Sequence, residues 1–354
     1  MFNSDSNPIP TTNGKLPQLR LAVTSYCGRA CVYCRPGGET FVTSRTNELG
    51  VDAIAKCVDM LSQFGLRHIK ITGGEPLTRN DIPHLIRSLS GLQFVEDIEL
   101  ITRRPVSQDI LRELKDNNVL NCLNFSLDTL DEFTWCFLNP GYSANDLGNL
   151  IQSIRMSAEL SFKIKINMVV LKGINEADIP NMVDFVRELG GGTIKLLDLI
   201  DDIPDFKESS QIRQHSVSIE EIIDGIRNQA LEEKTKTAPG GLGHPMLSLA
   251  LKGNVEVLIK SANAGAFYGD TCNGCTNFPC HDALMALRLT PDGKLQRCLL
   301  RNDNLLDLHG AVTENNVAEI NNIINAAITT YKTAEFYTGS QIYQLRKNKK
   351  NENI

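Results

Sequence analysis

The chain has 354 residues, is 42% hydrophobic and carries a formal net charge of −6. That length suits one domain of about 250 residues beside a smaller one, with enough apolar content for a core. Scattered Lys and Arg in an acidic chain argue against nucleic-acid or membrane-surface binding, and no apolar run of about 18 residues is present to span a bilayer.

Residues 1–15 are polar, contain Pro8 and Pro10 and lack the apolar centre of a signal peptide, so a disordered segment and a cytoplasmic location are expected. From Arg20 to Ile200 strand and helix patterns alternate. Strands are expected at Arg20–Thr24, His68–Thr72, Asp97–Thr102, Cys122–Ser126, Lys163–Val170 and Thr193–Leu199. Helices are expected at Val51–Phe64, Ile82–Leu92, Gln108–Asn117, Ala144–Leu160 and Ile179–Leu189; in the first, Ile54, Val58 and Leu61 recur at helical spacing. Such βα units predict an α/β fold, a partial (β/α)6 TIM-type barrel over residues 16–202, with function at the C-terminal strand ends.

Residues 203–244 read as a linker: polar Ile203–Ser218, a helix over Ile219–Glu233 and a glycine-rich loop at Ala238–Gly243. Residues 245–335 form an expected smaller C-terminal domain of short strands and cysteines. It includes a hairpin turn at Thr290–Leu295 and a helix over Asn315–Thr333 that Thr313 could cap. Residues 336–354 read as a tail, frayed from Arg346.

Ten cysteines in a cytosolic chain do not read as a disulfide framework. Cys57, Cys122 and Cys136 stand alone and read as core fillers. Cys27, Cys31 and Cys34 make C-x3-C-x2-C at the end of the first strand. Three thiolates so spaced can hold three irons of a [4Fe–4S] cluster and leave the fourth open to a small molecule. Zinc, the alternative, wants four ligands. Cys272, Cys275, Cys280 and Cys298 make C-x2-C-x4-C-x17-C, which could close a second [4Fe–4S] cluster or bind structural zinc.

Gly73-Gly74-Glu75-Pro76 follows the second strand; its glycines let backbone approach a ligand, and Glu75 offers a carboxylate to an ammonium. Ser126-Leu127-Asp128 ends the fourth strand, where Asp128 or Thr129 could instead cap a helix. Arg20, Lys70, Lys165 and Lys195 lie within apolar strands. An unpaired buried charge is costly, so these cations must snorkel outward or line a cavity that takes an anionic compound.

The cysteine triplet, with Tyr33 before its last member and Gly73-Gly74-Glu75 one strand on, resembles the radical S-adenosylmethionine (SAM) superfamily. The resemblance implies that the open iron chelates SAM, that an electron cleaves it to a 5′-deoxyadenosyl radical, and that no side chain is itself the catalytic group. It implies SAM contacts from Tyr33, Gly73, Gly74, Glu75, Ser126 and Ile200, and puts Thr102 in the cavity with Arg20, Lys70, Lys165 and Lys195 facing substrate. An electron donor such as flavodoxin or ferredoxin is implied as partner.

The run Arg288-Leu289-Thr290-Pro291-Asp292-Gly293-Lys294-Leu295 before Cys298 narrows the resemblance to the MoaA-like, GTP 3′,8-cyclase family. Ser126-Leu127-Asp128, Lys165-Ile166-Asn167 and Gly173-Ile174-Asn175-Glu176 agree, and the likeness covers roughly Leu16 to Asn302. It implies a second cluster near the substrate and a substrate contact from Arg288. The chain departs from that family's pattern in five respects. Cys280 is additional, and the spacing to Cys298 is longer than C-x2-C-x13-C. Ala286 stands at an arginine position, Lys70 replaces an arginine, and Asn351–Ile354 lacks a terminal glycine pair. Lys cannot reproduce the bidentate fork of Arg. The expectation is a paralogue that acts on another small anionic, nucleotide- or sugar-like substrate, with GTP cyclisation as the alternative and a non-catalytic iron–sulfur or zinc protein as a third reading.

Overall fold

The computed structural model describes residues 16–34, 47–115, 119–199, 210–237, 242, 244–260, 264–280 and 282–352. In chain order the strands of the first half are β1 (Gln18–Ala22), β2 (His68–Thr72), β3 (Asp97–Thr102), β4 (Leu120–Ser126), β5 (Lys163–Val169) and β6 (Gly192–Leu197). The second half adds β7 (Glu232–Lys236), β8 (Met246–Leu251), β9 (Val255–Lys260), β10 (Ala266–Tyr268), β11 (Ala286–Leu289), β12 (Lys294–Gln296), β13 (Leu305–Asp307) and β14 (Glu335–Tyr337). Helices α1 (Val51–Gln63), α2 (Ile82–Ser90), α3 (Gln108–Lys115), α4 (Glu132–Leu138), α5 (Ala144–Glu159) and α6 (Ile179–Glu188) lie between the first six strands. Beyond them lie α7 (Ser210–Arg213), α8 (Asp224–Arg227), α9 (Leu308–Thr313), α10 (Val317–Lys332) and α11 (Gly339–Glu352).

The first six strands are parallel and adjacent in chain order, as the βα alternation predicts. Two strands of the C-terminal half extend this parallel run: β11 beside β1 and β9 beside β6. Antiparallel β12 and β13 continue one flank, and β8 and β7 the other. Among the described residues β13 and β7 stay at opposite ends of the sheet, which is open.

A parallel sheet covered on both faces reads as continuous apolar runs, but these strands alternate. In β5, Ile164, Ile166 and Met168 are buried under the helices, whereas Lys165, Asn167 and Val169 line a cavity on the other face. In β2, Ile69 and Ile71 are buried and Lys70 between them faces the cavity. Pairing aligns Arg288, Arg20, Lys70 and Glu99 across β11, β1, β2 and β3. Period-two side-chain direction then sends this charged row to one face.

Four local expectations are corrected. The helix expected over Ile219–Glu233 is instead a 3-10 turn at Ile219–Glu221, the short α8 and the start of β7. Glu and Lys favour helix locally, but Leu231 N donates to Ala250 O at 2.8 Å and β7 pairs with β8, where its charges suit an exposed edge. Helix α10 begins after Asn316, whose side chain accepts from Glu319 N at 3.1 Å, while Thr313 belongs to α9. Likewise Asp131, not Asp128 or Thr129, caps α4 by accepting from Thr134 N at 2.7 Å. The tail from Arg346 is helical in α11. Ile342 is buried against Ala266, Tyr268, Cys280 and Ala283, and Arg346 Nε and Lys349 Nζ donate to the carbonyls of Pro279 and Phe278 at 3.1 and 3.0 Å.

Candidate active site

Beyond β1 and β2 the two chains stay zipped. Gly74 N donates to Thr24 O at 2.8 Å and Glu75 N to Tyr26 O at 2.9 Å, so Gly74 lies against the backbone that leads into Cys27. A Cβ on Gly74 would stand 2.3 Å from Tyr26 O and 2.8 Å from Cys27 N. Gly73 has φ +153°, and a Cβ there would meet Thr24 O at 2.5 Å. Neither position admits a side chain without moving backbone. Glu75, 2% exposed, accepts from Leu77 N at 3.0 Å and Thr102 Oγ1 at 2.7 Å on one oxygen, and from Arg103 N at 2.8 Å on the other. Three donors orient this carboxylate and leave acceptor capacity for a ligand cation.

Around the cysteine loop the side chains form a connected polar group. Arg103 reaches Cys31 Sγ at 3.3 Å and Asn139 Oδ1 at 3.1 Å through Nη1. Its Nη2 lies 3.1 Å from Asp128 Oδ2 and also donates to the Tyr33 hydroxyl. Tyr33 in turn donates to Asp128 Oδ2 at 2.5 Å, and Asp128 Oδ1 accepts from Val169 N at 2.9 Å. Burial, above all, pushes the Tyr33 phenol well above its ordinary value, which keeps it a donor.

A cavity of about 320 Å³ opens beside this group, with Tyr33 and Cys34 in its wall. Arg20, Lys70, Lys165 and Lys195 line it, as does Lys260 from the end of β9. Asp198, Asp282 and His244 also line it, with Gln18, Asn124 and Asn167. Below the wall, Glu99 receives Lys70 Nζ at 3.2 Å, Lys165 Nζ at 3.4 Å and Asn124 Nδ2 at 2.5 Å. Burial by itself would raise the Glu99 carboxyl, but the two lysines outweigh it and hold it down at about 2. Burial, reinforced by Lys70, Lys165 and Lys260, pushes Lys195 well below the ordinary lysine range. Lys260 is lowered chiefly by burial too.

The C-terminal cysteines meet in a second, smaller pocket. Cys272, Cys275, Cys280 and Cys298 line it together with Tyr268, Phe278 and Arg301. Burial pushes the Cys280 thiol up to about 12 and Cys298 up to about 11. Among the described residues no three Cys, His, Asp or Glu side chains close on a single ion, but an iron–sulfur cube spans a wider gap than one ion. Four free thiols on one apolar pocket, and three more around the first loop, fit clusters as donor sets.

Other expected site residues lie outside the cavity lining. Thr102 is buried and spends its hydroxyl on Glu75, off the cavity wall. Ser126 ends β4, paired with Asn167 in the β4–β5 ladder. Arg288 is 4% exposed and lines a side pocket that adjoins the cavity, sharing Arg20, Asp282 and Ala286 with it. Ile200 lies outside the described residues. Sequence reasoning missed Glu99, Arg103 and Lys260. Glu99 carries the same signal as the lysines, a charge within the apolar strand Asp97–Thr102. Arg103 carries only its place after a strand end. Lys260 carried none, because β9 was not foreseen as a parallel strand.

Comparison with known proteins defines the class. The model of the radical SAM superfamily matches residues 21–186, which run from within β1 to within α6 and include the triplet and Gly73–Glu75. Solved structures share the fold: Streptococcus suis SuiB bound to S-adenosylmethionine superposes with a TM-score of 0.56 at 14% identity, over 84% of this chain and 64% of that one. A structure described as native anSMEcpe with bound AdoMet gives 0.56 at 14% identity, over 88% and 82%. The chain is a radical SAM enzyme, and that class works with a [4Fe–4S] cluster and SAM.

Within the superfamily it belongs to the MoaA-like family, whose members carry a second cluster. A "Probable GTP 3',8-cyclase" of Methanosarcina mazei is 30% identical over 341 residues, 95% of this chain and 92% of the relative. Relatives of the same name from Pyrococcus horikoshii and Methanothermobacter thermautotrophicus are 30% and 29% identical, covering 87% and 95% of their own lengths. Among the described residues no helix is long and apolar enough to cross a membrane.

Proposed function

We propose that this enzyme abstracts hydrogen from a small anionic, nucleotide- or sugar-like substrate held in the 320 Å³ cavity. The observation that carries the proposal is the lining: Arg20, Lys70, Lys165, Lys195 and Lys260 face the cavity, with Asp198 and Asp282 on its wall and Glu99 beneath two of the lysines. Cys27, Cys31 and Cys34 hold the SAM cluster in this reading, and Cys272, Cys275, Cys280 and Cys298 hold the second one. Bound together, cluster and SAM supply a 5′-deoxyadenosyl radical. Glu75, oriented by Leu77, Thr102 and Arg103, receives the SAM ammonium. Gly73 and Gly74 admit the ligand to the backbone, and Tyr33 and Ser126 flank it. An electron enters from a flavodoxin or ferredoxin.

GTP cyclisation is the second reading, favoured by the names of the relatives. Against it stand Glu99 beneath Lys70 and Lys165 and Ala286 on the cavity wall. Anaerobic turnover with GTP and a panel of deuterated phosphorylated sugars and nucleotides separates the two. Deuterium in 5′-deoxyadenosine from a non-GTP substrate supports the proposal. Formation of 3′,8-cyclo-dihydro-GTP at multiple turnovers replaces it with the second reading.

A further inference from the structure

We infer that Arg103 is a positioning residue that sets the reduction potential of the cluster at Cys27, Cys31 and Cys34; this rests on the reading of that site given above. Arg103 directly follows β3, and its backbone is fixed on both sides. Its N–H donates to Glu75 Oε2 at 2.8 Å, and its carbonyl accepts from Arg29 Nη2 at 3.1 Å. Arg29 is itself held over the Tyr142 ring at 3.9 Å. The Arg103 side chain, 13% exposed, turns into the cysteine loop.

There its two terminal nitrogens divide the work. Nη1 lies 3.3 Å from Cys31 Sγ and 3.1 Å from Asn139 Oδ1. Nη2 engages Tyr33 and Asp128. Asp128 and Asn139 are both at most 1% exposed, so the fork has little freedom. A guanidinium does not lose its proton in proteins. The result is a permanent positive charge with an N–H aimed at a cysteine sulfur.

Reduction brings one electron from the low-potential donor and adds one negative charge to the cube and its thiolates. Donors to ligand sulfur and nearby positive charge favour the reduced form and raise the potential. Asp128 opposes that effect from the far side of the guanidinium, so the two residues predict shifts of opposite sign. A merely structural Arg103, present only to neutralise Asp128, predicts no such pair of shifts.

The test is a potentiometric titration of the full chain, reconstituted without air and followed by EPR. The relevant cluster is the one whose signal changes when SAM is added, and it is titrated before that addition. In Arg103→Gln the ratio of reduced to oxidised cluster at the wild-type midpoint should fall about tenfold, a shift of roughly 59 mV for a one-electron couple. Arg103→Lys, which restores charge near the sulfur, should recover most of it. Asp128→Asn should move the midpoint upward. An unchanged midpoint in Arg103→Gln, with the SAM-responsive signal intact, overturns the inference and leaves the site reading standing. Wild-type protein with no SAM-responsive signal overturns both. If Arg103→Gln does not assemble its cluster, Asp128→Asn decides: an upward shift supports the inference, and an unchanged midpoint overturns it.

Discussion

Lys70 Nζ lies 3.2 Å from Glu99 Oε2 across the β2–β3 pair, so the floor of the cavity is an ion pair and not a lone cation. Lys165 approaches the same carboxylate at 3.4 Å from β5. The two partners pull in opposite directions: Glu99 is stabilised as an anion, while burial lowers Lys70 despite its partner. The net contribution of the pair is therefore smaller than the Glu99 shift alone implies.

Glu99→Gln should destabilise the fold by about 3–5 kcal/mol, since it leaves two buried lysines without a counter-charge. Urea unfolding measures this. Because the folded Glu99 value is depressed to about 2 from an ordinary 4.5, its contribution is present above 4.5 and lost as pH falls toward 2. The stability gap between wild type and variant should narrow over that window. A gap independent of pH between 5 and 2 would contradict the assignment.

Lys195→Met should stabilise the empty enzyme by about 1–3 kcal/mol at neutral pH, since it removes a desolvated cation. The depressed folded value means that wild type carries this penalty fully below that value and sheds it as pH rises toward the ordinary 10.5. The same variant should bind pyrophosphate about tenfold more weakly than wild type. Thermal melts with and without pyrophosphate read both effects. A variant that is no more stable, or that binds the probe equally well, argues that Lys195 does not serve the cavity.

Gly74→Ala should abolish SAM binding, because the new methyl would stand 2.3 Å from Tyr26 O and force the cysteine loop away. Equilibrium dialysis with labelled SAM checks the binding, and iron content reports the loop. Retained affinity would mean that the β1–β2 extension is free to shift.

Cys280→Ala and Cys272→Ala should differ. With four thiols on one pocket, losing Cys280 leaves a three-cysteine site of the same kind as the first, and the second cluster should persist with one altered iron in its Mössbauer spectrum. Cys272, beside Cys275 on the tight turn, should be needed for retention. Identical Mössbauer spectra for wild type and Cys280→Ala would remove Cys280 from the ligand set.

The α11 helix offers a check on the same pocket. Lys349 and Arg346 bind the carbonyls of Phe278 and Pro279, between Cys275 and Cys280. Truncation before Gly339 should therefore speed loss of iron from the second cluster to a chelator severalfold, while the SAM-responsive cluster is spared. Equal loss rates would show that the helix does not brace this loop.

Much of the site was legible because its determinants are local. The triplet lies within eight consecutive residues, and Gly73–Glu75 follows a strand whose pattern is plain. Charges alternating with Ile and Met in β2 and β5 announced a polar face, since period-two direction is a property of a single strand. Less legible was which charges meet. Glu99 and Lys165 are 66 residues apart and converge only because β3, β4 and β5 pair in one register.

By itself the sequence determined the repeating βα units, the two thiol groups and the glycine-bounded carboxylate, because each depends on neighbours along the chain. Only the tertiary structure decided that β9 and β11 from the C-terminal half complete the parallel run and bring Lys260 and Ala286 into the cavity wall. It also decided that Arg103 turns toward Cys31. The physical reason is that charge compensation and backbone pairing act between segments distant in sequence, and their outcome depends on which strands lie side by side.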